Sequence, residues 1–159
     1  VTNSQQNPVL PPVIWNIGQG RTLSMLGVTV TFKMESDATD GAYALWEYSA
    51  PAHFDGPAAH YHKLTDEAFY ILEGTPLFQL EDQVIQTQPG SFVFVPRNTL
   101  HRFSNPGSTP IRMLTFRTPG GTEGYFDALI TLIQESGGMQ QVTRDDMRLL
   151  EQQHDQYAR

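Results

Sequence analysis

The 159-residue chain contains no cysteine. Disulfides, thiolate zinc sites, iron–sulfur clusters and a cysteine nucleophile are therefore excluded. Positive charge is scarce: 10 Lys and Arg stand against 17 Asp and Glu, for a net charge of −7, and Lys33 and Lys63 are the only lysines. A general nucleic-acid binder carries the opposite sign, so no nucleic-acid partner is expected. No apolar run approaches the ~20 residues of a membrane helix, and no membrane association is expected. Residues 1–12, VTNSQQNPVLPP, have neither the basic start nor the apolar stretch of a signal peptide. A cytoplasmic protein is expected, although a leader removed earlier would leave no trace in this sequence.

What the chain does have is turn-forming residues, 11 Pro and 13 Gly, and a length suited to one domain. Short alternating or β-branched segments predict strands over residues 28–32, 43–48, 68–72, 76–80, 83–87, 92–95, 101–104 and 111–118. Between them stand Asp40-Gly41, Asp55-Gly56-Pro57, Glu73-Gly74, Pro89-Gly90 and Asn105-Pro106-Gly107. Closely spaced strands punctuated by turns predict an all-β sandwich or barrel. Phe92-Val93-Phe94-Val95 reads as core. Phe69, Ile71, Phe94, Phe103, Met113 and Phe116 read as core that could also line an apolar pocket. After Gly120-Gly121 the pattern changes: Phe126, Leu129, Ile130 and Ile133 recur at helical spacing until Gly137-Gly138. Thr143 followed by Asp145 and Asp146 predicts a second helix running to about His154. The resulting division is an extended arm at 1–12, a β barrel at 13–119, and helices at 120–159 packed on the barrel or at a dimer interface.

The informative stretch is GPAAHYHKLTDE, residues 56–67. Residues two apart on an extended strand face the same side, so His60 and His62 point together. Residues 63–66 can turn the chain, and Glu67 opens the next strand facing the same focus. Two imidazoles and one carboxylate are the ligands of a facial triad with open positions. His101, in a strand after the turn at 96–98, offers a fourth ligand. A lone His-x-His pair is weak evidence. The joint pattern is stronger, because three of the five histidines and one glutamate can converge. His53, before a turn, and His154, in a polar helix, read as solvent-facing.

At these residues the sequence resembles the cupin superfamily. Gly56, His60, His62, Glu67 and Gly74 match its first motif, and Gly90, Pro96, His101 and Asn105 match its second. Two departures occur: three residues rather than five separate Gly56 from His60, and Asn98 stands where the family usually has Gly. Asn enters the left-handed region at modest cost, so the turn is expected to survive.

The resemblance implies a cupin-type double-stranded β-helix, a jelly-roll barrel, with a short helical tail. It implies one divalent transition metal (Fe, Mn, Ni, Co, Cu or Zn) held by His60, His62, Glu67 and His101. The stretch HYHKLTDEAFYILEG is similar to small single-domain cupins of the quercetin dioxygenase-like group. That likeness implies a metal-dependent dioxygenase, an oxidoreductase acting on a small aromatic or enolic substrate. Glu67 is then also expected to be catalytic, accepting the substrate's hydroxyl proton, with metal coordination pulling its pKa down and an apolar wall around Phe69 pushing it up. A homodimer is implied as well. Two other readings stay open. One is a metal-dependent isomerase or lyase on a small polar substrate, which calls for interior basic residues such as Arg97, Arg102, Arg112 or Arg117. The other is a non-catalytic small-molecule-binding cupin.

Overall fold

The computed structural model describes residues 11–158. Of the arm expected at 1–12, only Pro11 and Pro12 fall among them, and both are exposed. Nine strands follow: β1 (Arg21–Met25), β2 (Val28–Met34), β3 (Ala44–Ala50), β4 (Asp66–Glu73), β5 (Leu77–Leu80), β6 (Gln83–Gln86), β7 (Phe92–Val95), β8 (His101–Ser104) and β9 (Ile111–Thr118). They form a six-stranded sheet, β1-β2-β3-β9-β4-β7, facing a three-stranded sheet, β6-β5-β8. Every strand pairing is antiparallel. Helices α1 (Tyr125–Glu135) and α2 (Arg144–Gln153) come after the strands. This is an all-β two-sheet barrel, as the spacing of strands and turns predicts, and it agrees with the jelly roll that the resemblance implies.

Period-two alternation places the core. Along β9, Ile111, Met113, Thr115 and Arg117 are buried while the residues between them are partly exposed. Val28, Val30 and Phe32 do the same on β2, and Ala44 and Trp46 on β3. Phe69, Phe78 and Phe103 join the two sheets with ring centroids 5.1 to 5.8 Å apart. Such contacts add roughly 0.5–1.5 kcal/mol per pair to the area they bury.

Two expectations for the aromatic strands are corrected. Phe92 and Phe94 are not core: they are 66% and 53% exposed, because β7 lies at the sheet's edge and turns only Val93 and Val95 inward. Phe116 also points away from the interior and stacks on Tyr43 at 5.4 Å. β1 is an element that the alternation rule does not find. As a five-residue edge strand it is exposed or only partly buried, and its alternation is limited to two apolar residues, Leu23 and Met25.

The tail packs against the strands. Phe126 of α1 meets Phe32 and Trp46 edge-on at 6.1 and 5.7 Å. Thr143 caps α2 through a capping box: its Oγ1 accepts from the Asp146 N–H, and its own N–H donates to Asp146 Oδ2. His154 is half-buried rather than solvent-facing, because its ring meets Tyr125 at 6.0 Å, and burial lowers its pKa. His53 is exposed.

Candidate metal centre

His60, His62, Glu67 and His101 converge inside the barrel, all buried, with one ligand atom from each lying within 4.8 Å of the others. Backbone pairing explains the convergence. His60 and His101 face each other across a short antiparallel bridge, with N–H to O=C distances of 3.0 and 2.8 Å in the two directions. His62 lies two residues on, on the same side. The Asn98 N–H donates to the His62 carbonyl at 2.6 Å. Asn98 holds φ +68°, the left-handed conformation that its departure from glycine requires. Gly56 is equally constrained: at φ +81°, a Cβ there would collide with the Phe103 carbonyl. Asn105 pins the turn after β8, its Nδ2 donating to the carbonyls of Pro51 and Thr109, each at 2.8 Å.

The imidazole tautomers follow from their partners. His60 Nδ1 lies 2.8 Å from the Ala58 carbonyl, His62 Nδ1 2.6 Å from the Asp155 carbonyl, and His101 Nδ1 3.0 Å from the Thr99 carbonyl. A carbonyl only accepts, so each Nδ1 carries the proton and each Nε2 presents a lone pair. Burial, followed by the neighbouring His101, pushes His60 down to about 3, so it stays neutral. Glu67 Oε2 lies 3.2 Å from His101 Nε2 and 3.4 Å from His62 Nε2. Three imidazoles and a carboxylate gathered at one point, with every Nδ1 fixed from behind, make up the donor set that a divalent transition ion takes, and His62 Nε2 is the donor that also accepts from Arg117 Nη2. The residues present therefore fit such an ion.

Arg117 adds a feature that the motifs do not mark. It pairs with Glu67 in register across β9 and β4. Its Nε donates to Glu67 Oε1 at 2.9 Å, its Nη1 to Thr122 Oγ1 at 3.1 Å, and its Nη2 to His62 Nε2 at 3.1 Å. The sequence carries one signal for it: an arginine at an inward position of an otherwise apolar strand face. The partner is set by strand register, which the sequence does not show. The ion pair also corrects the expected pKa of Glu67. Burial works to raise it, but the Arg117 guanidinium beside it holds the carboxyl well below the usual range.

His60, Glu67, His101 and Arg117 lie at the floor of a cavity of about 420 Å³. Its walls are mostly apolar. Trp46, Tyr48, Phe54, Phe69 and Phe103 come from the barrel, and Phe126, Leu129, Met139 and Met147 from the tail. Burial raises the Tyr48 phenol and pushes Tyr125 up to about 12, so both are neutral walls. Of the aromatics expected to line a pocket, Phe69 and Phe103 do so; Ile71 and Met113 are fully buried core.

Comparison with known proteins agrees with this geometry. Residues 46–117 match the family description "Cupin domain", a span that includes all four converging residues. Residues 46–117 are thus a cupin domain. The chain is 35% identical to the quercetin 2,3-dioxygenase of Bacillus subtilis over 91 residues, an alignment that covers 57% of this chain and 26% of that relative. The chain spans less than half the length of the curated relatives it matches. Among solved structures, KdgF from a Halomonas species superposes with a TM-score of 0.61 at 12% identity, over 70% of this chain and 96% of that one. The cupin domain of Schizosaccharomyces pombe Cnp3 superposes with a TM-score of 0.59 at 14% identity, over 73% and 80%. At such identities these structures establish the fold alone. Among the described residues, no helix is long and apolar enough to cross a membrane.

Proposed function

We propose that this cupin is a metal-dependent dioxygenase acting on a small aromatic or enolic substrate. The observation that carries this reading is the four-residue cluster, of which His60, Glu67 and His101 line the floor of an aromatic-walled cavity of about 420 Å³. The partial likeness to a quercetin 2,3-dioxygenase supports it. His60, His62, Glu67 and His101 would hold one divalent transition ion. That ion supplies a Lewis acid that lowers the pKa of a substrate hydroxyl. The apolar walls bind the substrate's rings and exclude water. Arg117 orients Glu67 through Oε1 and leaves Oε2 facing the cluster. Glu67 is the proposed proton acceptor at Oε2, and its basicity rises when the Arg117 contact lengthens. Residues 13–119 serve as the barrel unit, residues 120–159 as the helical cover of its cavity, and the chain works as a homodimer.

Oxygen uptake by the metal-loaded protein with a flavonol tests the reading. Turnover that disappears in a His60→Ala/His62→Ala variant is the expected result. A melting shift with the flavonol but no oxygen uptake under Fe, Mn, Co, Ni or Cu would favour a binding cupin. One observation favours a second reading, the isomerase or lyase on a polar substrate: Arg117 places a buried cation at the cavity floor, where an anionic substrate group could reach it.

A further inference from the structure

The segment at residues 154–157 lies well outside the matched span of 46–117, yet it reaches the metal cluster. Asp155 is buried and left-handed, with φ +58°. Its Oδ1 accepts from the Lys63 N–H at 2.9 Å. Its Oδ2 accepts from the Leu64 N–H at 2.9 Å, the Thr65 N–H at 3.0 Å and Thr65 Oγ1 at 3.1 Å. These donors make up the loop joining His62 to Glu67. The Asp155 carbonyl meanwhile accepts from His62 Nδ1 at 2.6 Å. On the other side of His62, Tyr61 and Tyr157 exchange two backbone hydrogen bonds of 2.9 and 3.0 Å. The Lys63 ammonium sits 3.7 Å from the Tyr157 ring centroid.

We infer that Asp155 is a positioning residue for the metal centre, with its carboxylate gathering the loop at 63–65 and its carbonyl fixing the His62 tautomer. Three successive backbone N–H groups aimed at one point need an acceptor with several lone pairs, and a carboxylate supplies it. The three histidines differ in a way that isolates the effect. His60 and His101 take their Nδ1 partners from carbonyls two residues earlier, Ala58 and Thr99. His62 takes its partner from 93 residues further along the chain. His62 alone depends on the tail. The inference rests on reading the cluster as a metal centre.

The test compares the full chain with Asp155→Ala and Asp155→Asn. Asn keeps the left-handed backbone accessible and retains one acceptor oxygen. Cobalt(II) is titrated into metal-stripped protein, and long-range 15N–1H spectra of separate metal-free samples report the tautomer of each histidine. Cobalt affinity is expected to fall 10- to 100-fold in Asp155→Ala, the range for losing an outer-shell partner, and less in Asp155→Asn. Both variants keep the Asp155 backbone carbonyl, so His62 is expected to lose its Nδ1–H pattern because the segment at 154–157, no longer anchored by the carboxylate, carries that carbonyl away, while His60 and His101 keep theirs. If Asp155→Ala does not fold, Asp155→Asn carries the same two readouts. Cobalt affinity within twofold of the parent overturns the assignment, and so does an unchanged His62 pattern while affinity falls. A parent chain that binds no cobalt would sink the metal reading instead, and the His62 pattern then decides alone whether Asp155 positions it.

Discussion

Glu67 answers to two neighbours with opposite effects on its chemistry. The cluster of lone pairs calls for a cation at Oε2, while Arg117 already neutralises Oε1. The carboxylate is therefore ionised and well oriented, both of which suit a ligand, and only weakly basic. If it nonetheless accepts the substrate proton, Glu67→Gln tested at equal metal content should slow turnover by about a hundredfold or more. Substrate affinity should change much less. Turnover at the parent rate with a confirmed substrate would leave Glu67 as a ligand only. The Arg117 contact has its own test. Arg117→Met leaves a fully buried carboxylate without its cation in the metal-stripped protein. Urea unfolding should then show a loss of about 3–5 kcal/mol, the cost of removing one partner from a buried ion pair. Added divalent metal should restore part of it. An unchanged midpoint would mean that the pair contributes nothing net.

At the scale of elements, the Glu123 carboxylate helps to hold the segment between the sheet and α1, alongside the Arg117–Thr122 and Gly120–Gly41 hydrogen bonds. Glu123 accepts the Ser36 N–H at 2.6 Å and the Gly121 N–H at 2.8 Å, tying the turn after β2 to the approach to α1. Burial opposes the charge, but the hydrogen bonds prevail and the Glu123 pKa is lowered. A depressed native carboxyl contributes stability above the unfolded value, near 4.3, and loses it as pH falls through the native value. Glu123→Gln should therefore be less stable than the parent at pH 7 and should flatten the loss of stability on acidification below about pH 4.3. Parallel stability profiles for the two proteins would reject this. The strands show what a sequence can and cannot carry. β7, β8 and β9 have the bounds that alternation predicts, because each sends one face into the core. Which face β7 sends inward is set by its register on β4, where Val93 pairs with Phe69 and Val95 with Glu67, and the all-apolar run FVFV has no polar residue to mark the outer face, which is why Phe92 and Phe94 read as core. His60, His62, Glu67 and His101 were marked by local spacing. Arg117 and Asp155 were not, because strand register and a 93-residue reach connect them to the cluster.

For the molecule as a whole, the tail's position bears on assembly. Phe126, Leu129, Met139 and Met147 wall the cavity, so this part of the tail is engaged within its own chain. Light scattering at tens of micromolar protein should nonetheless give a dimeric mass if the cupin pairs as proposed; a strictly monomeric mass would end that proposal. The contact between Asp155 and His62 also has a consequence in time. A chain leaves the ribosome at about 5–20 residues per second, so the 93 residues between these partners take roughly 5–20 seconds to follow. Throughout that interval His60, His62, Glu67 and the loop between them are already made, while the carbonyl and carboxylate that order them are not. Any metal met during synthesis finds a half-built, mobile set of ligands, open to the wrong ion or the wrong geometry. The finished site closes only when residues 154–157 come home.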